Sequence, residues 1–233
     1  MDIFPAILII SVIGGIVAID TASAWQIMIS QPVVICPAIG WLFGQPEIGI
    51  TFGILLELPW LINIPSGGKH ASDSNLAAVV ATGLGVYFVT KNINTENIIV
   101  IILVLYSMVV GRVGNYLVEM VRKANLNLIH QADEAASLGD MKKIGILNFT
   151  GVSYSFFSGL FLVSIGVILG ALFLEPLIKF IHPNFDYPFG LAKYGILGVG
   201  FGSVLTLFIN KETKWYFLVP FIIGGIGWLF ITF

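Results

Sequence analysis

Glu57 is a lone carboxylate within the apolar run Ile48–Ile62 (IGITFGILLELPWLI). A charged side chain at membrane depth costs about 2.5–3.5 kcal/mol on insertion scales, so it must face protein and find a partner there. Two kinds of chemistry are open to it. It can brace two segments by hydrogen bonding, or it can hold a ligand: the hydroxyls of a sugar or a coupling ion. Pro59, close behind it, frees backbone groups at the same level, which favours the ligand role. A second polar concentration follows at Pro65–Asn75 (PSGGKHASDSN), with hydroxyls, an ammonium, an imidazole and the acid Asp73. Its Gly-Gly-Lys lacks the spacing of a phosphate loop and no strand precedes it, which excludes nucleotide binding. His70 lacks companion ligands and makes no metal site. Asp73 or Ser74 can cap a helix beginning near Leu76. A plain exposed loop has the same composition, but this one lies between a broken helix and a renewed apolar run.

These groups must be held by a segment that is itself interrupted. Trp25–Leu76 is apolar enough for a membrane, yet carries Pro32, Pro37, Pro46, Pro59 and Pro65. In hydrocarbon every backbone N–H and C=O needs a partner, so the segment packs inside protein or lines a wet cavity. Trp25–Phe43 reads either as a kinked spanning helix or as a hairpin that enters and returns. Gly44–Glu47 is a turn by composition, and Ile48–Ile62 runs back, with Gly49 and Gly53 spaced for close helix approach.

The flanking chain supplies the walls. Phe4–Ile19 is a first helix with Gly14–Gly15 as a packing point. Asp20 ends it at the interface, or lies inside the protein if the chain re-enters at once. Leu76–Val89 restarts as a span and Lys91–Asn97 is a connection. Ile98–Val110 continues as helix through Arg122. Ala124–Lys143 is a polar helix ending near Gly139, with Leu126, Ile129, Ala132 and Ala136 on one packed face. His130 there reads as a helix-surface polar residue, with a catalytic or phospho-acceptor role as the other reading. Ile144–Leu174 begins rich in hydroxyls, Glu175–Lys193 reads as an external loop, and Tyr194–Ile209 is a glycine-rich segment. Asn210–Lys214 is a turn before a last span, Trp215–Phe233, with aromatics at both ends.

Composition agrees. The 233 residues are 57% hydrophobic and only 10% charged, against roughly 25% charged in soluble domains, and mean hydropathy is +0.96. At about 20 residues per spanning helix there is room for about six to eight membrane-entering segments and no sizeable soluble domain. The expected fold is an all-α integral membrane protein of multiple transmembrane helices with broken, reentrant hairpin segments. Residues 1–233 form one membrane-embedded domain: an N-terminal half 1–110 with its broken helices at 25–75, a cytoplasmic connecting helix 111–143, and a C-terminal transmembrane half 144–233. Arg112, Arg122, Lys123, Lys142 and Lys143, with Lys211 and Lys214, mark the cytoplasmic side. A net charge of −2 gives no field for a nucleic-acid partner. The single Cys36 excludes an internal disulfide and reads as a small core residue.

QPVVICPAIGWLFGQPEIGITFGILLEL (residues 31–58) resembles the core of the membrane C subunits (IIC components) of the mannose/fructose/sorbose family of the phosphotransferase system. HQADEAASLGD (residues 130–140) is similar to that family's H-x-A-D-x-A-A-x-x-G segment, in the same order and spacing. The resemblance implies a sugar permease subunit, not an enzyme, in a bacterial cytoplasmic (inner) membrane. It implies a membrane partner D, cytosolic A and B subunits that carry the phosphate, assembly into an oligomer, and no cofactor or metal. His130 is then not a phosphoryl carrier.

By the same resemblance Glu57 falls on the family's Leu-Glu acid and Asp73 on its loop acid. The implied substrate-binding set is Glu57 and Asp73 with Asn63, Lys69 and His70 nearby, Trp60 for a sugar ring face, and Gln26 and Gln31. Gln31, Gln45 and Ser72 stand where the family usually carries Arg, Asp and Pro. Two other readings stay open: a transporter of this fold uncoupled from phosphorylation or moving another solute, and a non-transporting membrane scaffold.

Overall fold

The computed structural model describes residues 3–60, 73–91 and 95–209, with residues 215–216, 219–220 and 222–223 beyond them. In chain order the helices are α1 (Ile3–Ala22), α2 (Pro32–Leu42), α3 (Pro46–Trp60), α4 (Ser74–Thr90), α5 (Glu96–Ser137), α6 (Met141–Phe180) and, after a short 3-10 turn at Pro183–Phe185, α7 (Asp186–Phe208). Among the described residues α1, α5, α6 and the segment Pro183–Thr206 are long and apolar enough to cross a membrane.

Trp25–Phe43 takes the hairpin form of its two readings. Pro32 opens α2 at a position where its missing N–H has no helical partner to lose. With 11 residues, at 1.5 Å each, α2 is about 16 Å long and too short to cross. It turns at Phe43–Gln45 and packs on α3. A Cβ built on Gly40 would meet the Gln45 carbonyl oxygen at 2.6 Å and the Gly49 Cα at 2.8 Å, so the two backbones touch. Glycine is needed at Gly44 for another reason, its φ of +72°.

α4 is the axis of the bundle. Every residue from Asn75 to Phe88 is buried. α1 runs antiparallel to it, with Ile10 against Gly83 and Thr21 against Asn75. α6 runs parallel, with Gly166 against Val80 and Gly170 against Leu84. α1 and α6 lie backbone to backbone: a Cβ on Gly159 would stand 2.5 Å from the Gly14 carbonyl oxygen. The Ser164 hydroxyl donates to Ser11 Oγ at 2.7 Å on one side of that crossing, and Ser23 pairs with Ser155 on the other. Without a hydrophobic drive between helices in lipid, small residues and cross-helix hydroxyl bonds supply association. Cys36 is fully buried, with Sγ 3.8 Å from the Ala78 carbonyl oxygen.

The long elements correct two expectations. α5 is one unbroken helix of 42 residues, so nothing separates a connecting helix at residue 111. It ends where foreseen, with Gly139 at φ +70°. Glu175–Lys193 is not a long external loop. α6 passes through Pro176 to Phe180, and α7 starts at Asp186. Pro188 falls in the first turn of α7, where it removes no helical bond. The Asp186 carboxylate accepts the N–H groups of Asn97 (2.9 Å) and Ile98 (3.2 Å), so this turn caps α5 instead of looping into water. Glu175, expected in that loop, lies on α6 and pairs with Lys91 at 3.1 Å and Lys179 at 2.7 Å. The expected last span Trp215–Phe233 and the turn before it lie largely outside the described residues.

Candidate functional site

The end of α1, the start of α2, the end of α3 and the start of α4 meet at one level of the bundle. Each break there is closed by a carboxylate. Asp20 is buried, not interfacial. Its Oδ1 accepts the Ile27 N–H and its Oδ2 the Ser30 N–H, both at 2.9 Å. Around these anchors the chain takes left-handed backbone, at Trp25 (φ 67°) and Gln26 (φ 51°) just before Ile27 and at Met28 (φ 66°) between Ile27 and Ser30. Such conformations are uncommon outside glycine and persist where surrounding structure enforces them. Here the two Asp20 bonds do so.

Glu57 reaches from α3 to the start of α2, where its Oε2 accepts the Val33 N–H at 3.1 Å. Val33 is the second residue of α2, so this N–H has no partner within its own helix. Gln31, at the N-cap position, makes no side-chain cap bond. The half-buried Glu57 therefore does the work of a cap from another helix, and the charge suits the positive helix end. A carboxylate offers about four acceptor positions and Val33 takes one.

Asp73 is the third. Its Oδ1 accepts the Leu76 N–H at 3.1 Å and caps α4, while its own N–H donates to the Gly111 carbonyl at 3.1 Å. Gly111 is 15 residues into α5, about 22 Å from its start at 1.5 Å per residue. That is inside a hydrocarbon core roughly 30 Å thick. Gly114 makes room: a Cβ on it would lie 2.9 Å from the Asp73 Cβ. Because Asn caps as well as Asp, Asp73→Asn should unfold thermally like wild type in detergent, whereas Asp73→Ala should lose about 1 kcal/mol. Equal stability of the alanine variant would show that the cap does not hold α4.

Asp73 also lines a cavity of about 90 Å³ with Thr21, Ser23, Arg122, Asn125 and Ser155. Its walls combine hydroxyls, an amide, a guanidinium and a carboxylate, groups that match a polyol. Asn125 Oδ1 is a buried acceptor without a partner among the described residues. Beside it Asn75 Nδ2 donates to Thr21 Oγ1 at 3.1 Å.

Of the residues expected at the site, Glu57, Gln31 and Asp73 stand at the junction. Gln26 is an exposed member of the strained loop, and Trp60 packs against the core. Asn63, Lys69 and His70 lie outside the described residues. Asn75, Thr21 and Asn125 were missed. Asn75 and Thr21 had a signal, since each adjoins an acid or hydroxyl cluster at a helix break. Asn125 had none, because the other walls of its cavity come from distant sequence.

The family model for "PTS system sorbose-specific iic component" matches residues 4–229. The chain belongs to this family. It is 27% identical over 202 residues to the PTS system sorbose-specific EIIC component of Lacticaseibacillus casei, covering 84% of this chain and 68% of that one. It is 25% identical over 219 residues to the fructose permease IIC component of Bacillus subtilis (strain 168), covering 94% and 77%. A solved structure described as "Structure of membrane protein" shares its fold, with a TM-score of 0.73 at 18% identity over 100% of this chain and 95% of the other. As a IIC component the chain is a multi-pass membrane protein and a sugar permease subunit of a phosphotransferase system. It is a transport subunit, and phosphoryl transfer in such systems is carried out on other subunits.

Proposed function

We propose that this IIC subunit binds a hexose at the junction of the broken helices and forms the translocation path with a membrane D subunit. The observation that carries the proposal is the hydroxyl- and amide-lined cavity that Asp73 lines at the junction, where Asp20 and Glu57 close the neighbouring helix breaks. Polar groups at membrane depth are costly and belong to substrate or ion pathways by default. Cytosolic A and B subunits would deliver phosphate to the sugar, in a bacterial cytoplasmic membrane and an oligomeric assembly. Asn63, Lys69 and His70 belong to the proposed set through their place in the polar segment between α3 and α4, with Trp60, Gln26 and Gln31 as further members. Ketohexoses come first for testing, because the two curated relatives are named for sorbose and fructose.

The test is equilibrium sugar binding to the purified chain co-expressed with its D subunit. Glu57→Gln keeps an oxygen for Val33 but removes the charge. A hydrogen bond to a charged group contributes about 1.5–3 kcal/mol, so affinity should fall roughly ten- to a hundredfold. If Glu57→Ala and Asp73→Ala both bind sugar as wild type does, the junction is not the site. Uptake that persists without the phosphate-carrying B subunit would favour an uncoupled transporter.

A further inference from the structure

A second cavity lies at the other end of the bundle, between α3, the start of α5 and α7. It holds about 400 Å³, within the roughly 300–1,000 Å³ of small-molecule sites. Its floor is Ile54 and Leu55 of α3 with Leu197. Its rim is Tyr187 and Tyr194, which stand with Leu191 at helical spacing on one face of α7. Both tyrosines are well exposed, at 76% and 72%.

The polar groups are few and fixed. Asn97 is held by Asp186, Nδ2 to Oδ2 at 2.6 Å. Lys193 has only 19% of its side chain exposed and sits 4.0 Å from Glu96, at the outer limit of an ion pair, which leaves ammonium donors for another acceptor. Thr51 adds a hydroxyl. Aromatic rings beside apolar side chains, with an ammonium, an amide and a hydroxyl in the same lining, suit a neutral polyol better than a phosphate. Glu96 and Asp186 would repel an anion here.

The position gives the cavity a use. Arg112, Arg122, Lys123, Lys142 and Lys143 lie toward the opposite end of the α5–α6 pair, which the positive-inside rule assigns to the cytoplasm. The cavity thus opens on the side from which sugar arrives. It also borders the helix that bears Glu57, one turn beyond Ile54.

We propose that this cavity is an outer sugar-binding vestibule that takes hexose from the external medium before it reaches the junction. The inference rests on the sugar-permease reading and deepens it. The experiment is uptake by the complete system as a function of sugar concentration. Tyr187→Ala, Tyr194→Ala and Lys193→Gln should each raise half-saturation at least threefold while plateau uptake is retained. The tyrosines are exposed, so their loss does not threaten folding. Phe201→Ala, on α7 but outside the cavity, should match wild type. Unchanged half-saturation in all three variants overturns the proposal, as does a lowered plateau at unchanged half-saturation. Native mass spectrometry provides a separate arm: a phospholipid retained by wild type and lost in Lys193→Gln, with half-saturation unaltered, overturns it in favour of a lipid seat. If Glu57→Gln binds sugar normally while the tyrosine variants raise half-saturation, the inner site fails and the vestibule stands.

Discussion

Asp20→Ala is expected to abolish sugar uptake and to destabilise the protein by about 3 kcal/mol or more, the sum of two charge-assisted hydrogen bonds at about 1.5–3 kcal/mol each. The buried carboxylate anchors Ile27 and Ser30 at 2.9 Å in a loop that holds three left-handed residues, Trp25, Gln26 and Met28. Without it those two N–H groups lose their acceptor, and the loop has nothing to oppose its strain. The start of α2 then loses its place relative to Glu57. Asp20→Asn should rescue little. An amide has one acceptor oxygen, and its NH₂ would face the second N–H donor. Thermal unfolding in detergent, with uptake in membranes, reads both effects. A stable, active asparagine variant would show that the two anchors are dispensable.

Gly159→Val carries the second large effect. A Cβ there would meet the Ala18 Cβ and the Gly14 carbonyl oxygen, both at 2.5 Å. One neighbour is backbone and the other a methyl fixed to a helix, so neither can rotate away. α1 and α6 must separate, which breaks the Ser11–Ser164 bond beside the crossing. Overpacking of this kind costs about 1–3 kcal/mol. The same helix provides the control. A Cβ on Gly145 meets nothing within 4 Å, so Gly145→Ala should leave stability unchanged or raise it by about 0.5–1 kcal/mol. Equal unfolding temperatures for the two variants would refute the close crossing.

The sequence disclosed the broken stretch because prolines in apolar surroundings have few structural solutions. Pro32, Pro37 and Gly40 decided between span and hairpin only once their neighbours were known, since both forms satisfy the same periodicity. Asp20 was ambiguous for a related reason: its two donors lie in a loop whose path depends on left-handed residues with no glycine to signal them. Glu57 and Asp73 stood out as acids where acids are expensive. Their capping geometry was half legible, because Asp73 precedes its own helix whereas Glu57 caps a different one. The Glu175–Lys193 segment misled because prolines at helix starts resemble prolines in loops, and Asp186 reveals its purpose only beside Asn97. The placing of Asn125 beside Ser155 and Ser158 of α6 in one cavity depends on how α5 and α6 align, which local sequence does not encode.

α5 carries one further consequence. It runs without interruption from the capped end at Glu96, past the seat of Asp73 at Gly111 and Gly114, to Ser137. A helix with no proline or hinge along its length behaves as a lever. From Gly114 to Ser137 is 23 residues, about 34 Å at 1.5 Å per residue. A tilt of about 10° pivoting at Gly114 therefore sweeps the Ser137 tip through about 6 Å, by the same rise per residue. Read in reverse, a partner that displaces the tip by that distance turns the fulcrum on which the α4 cap rests, with no relay of side chains in between.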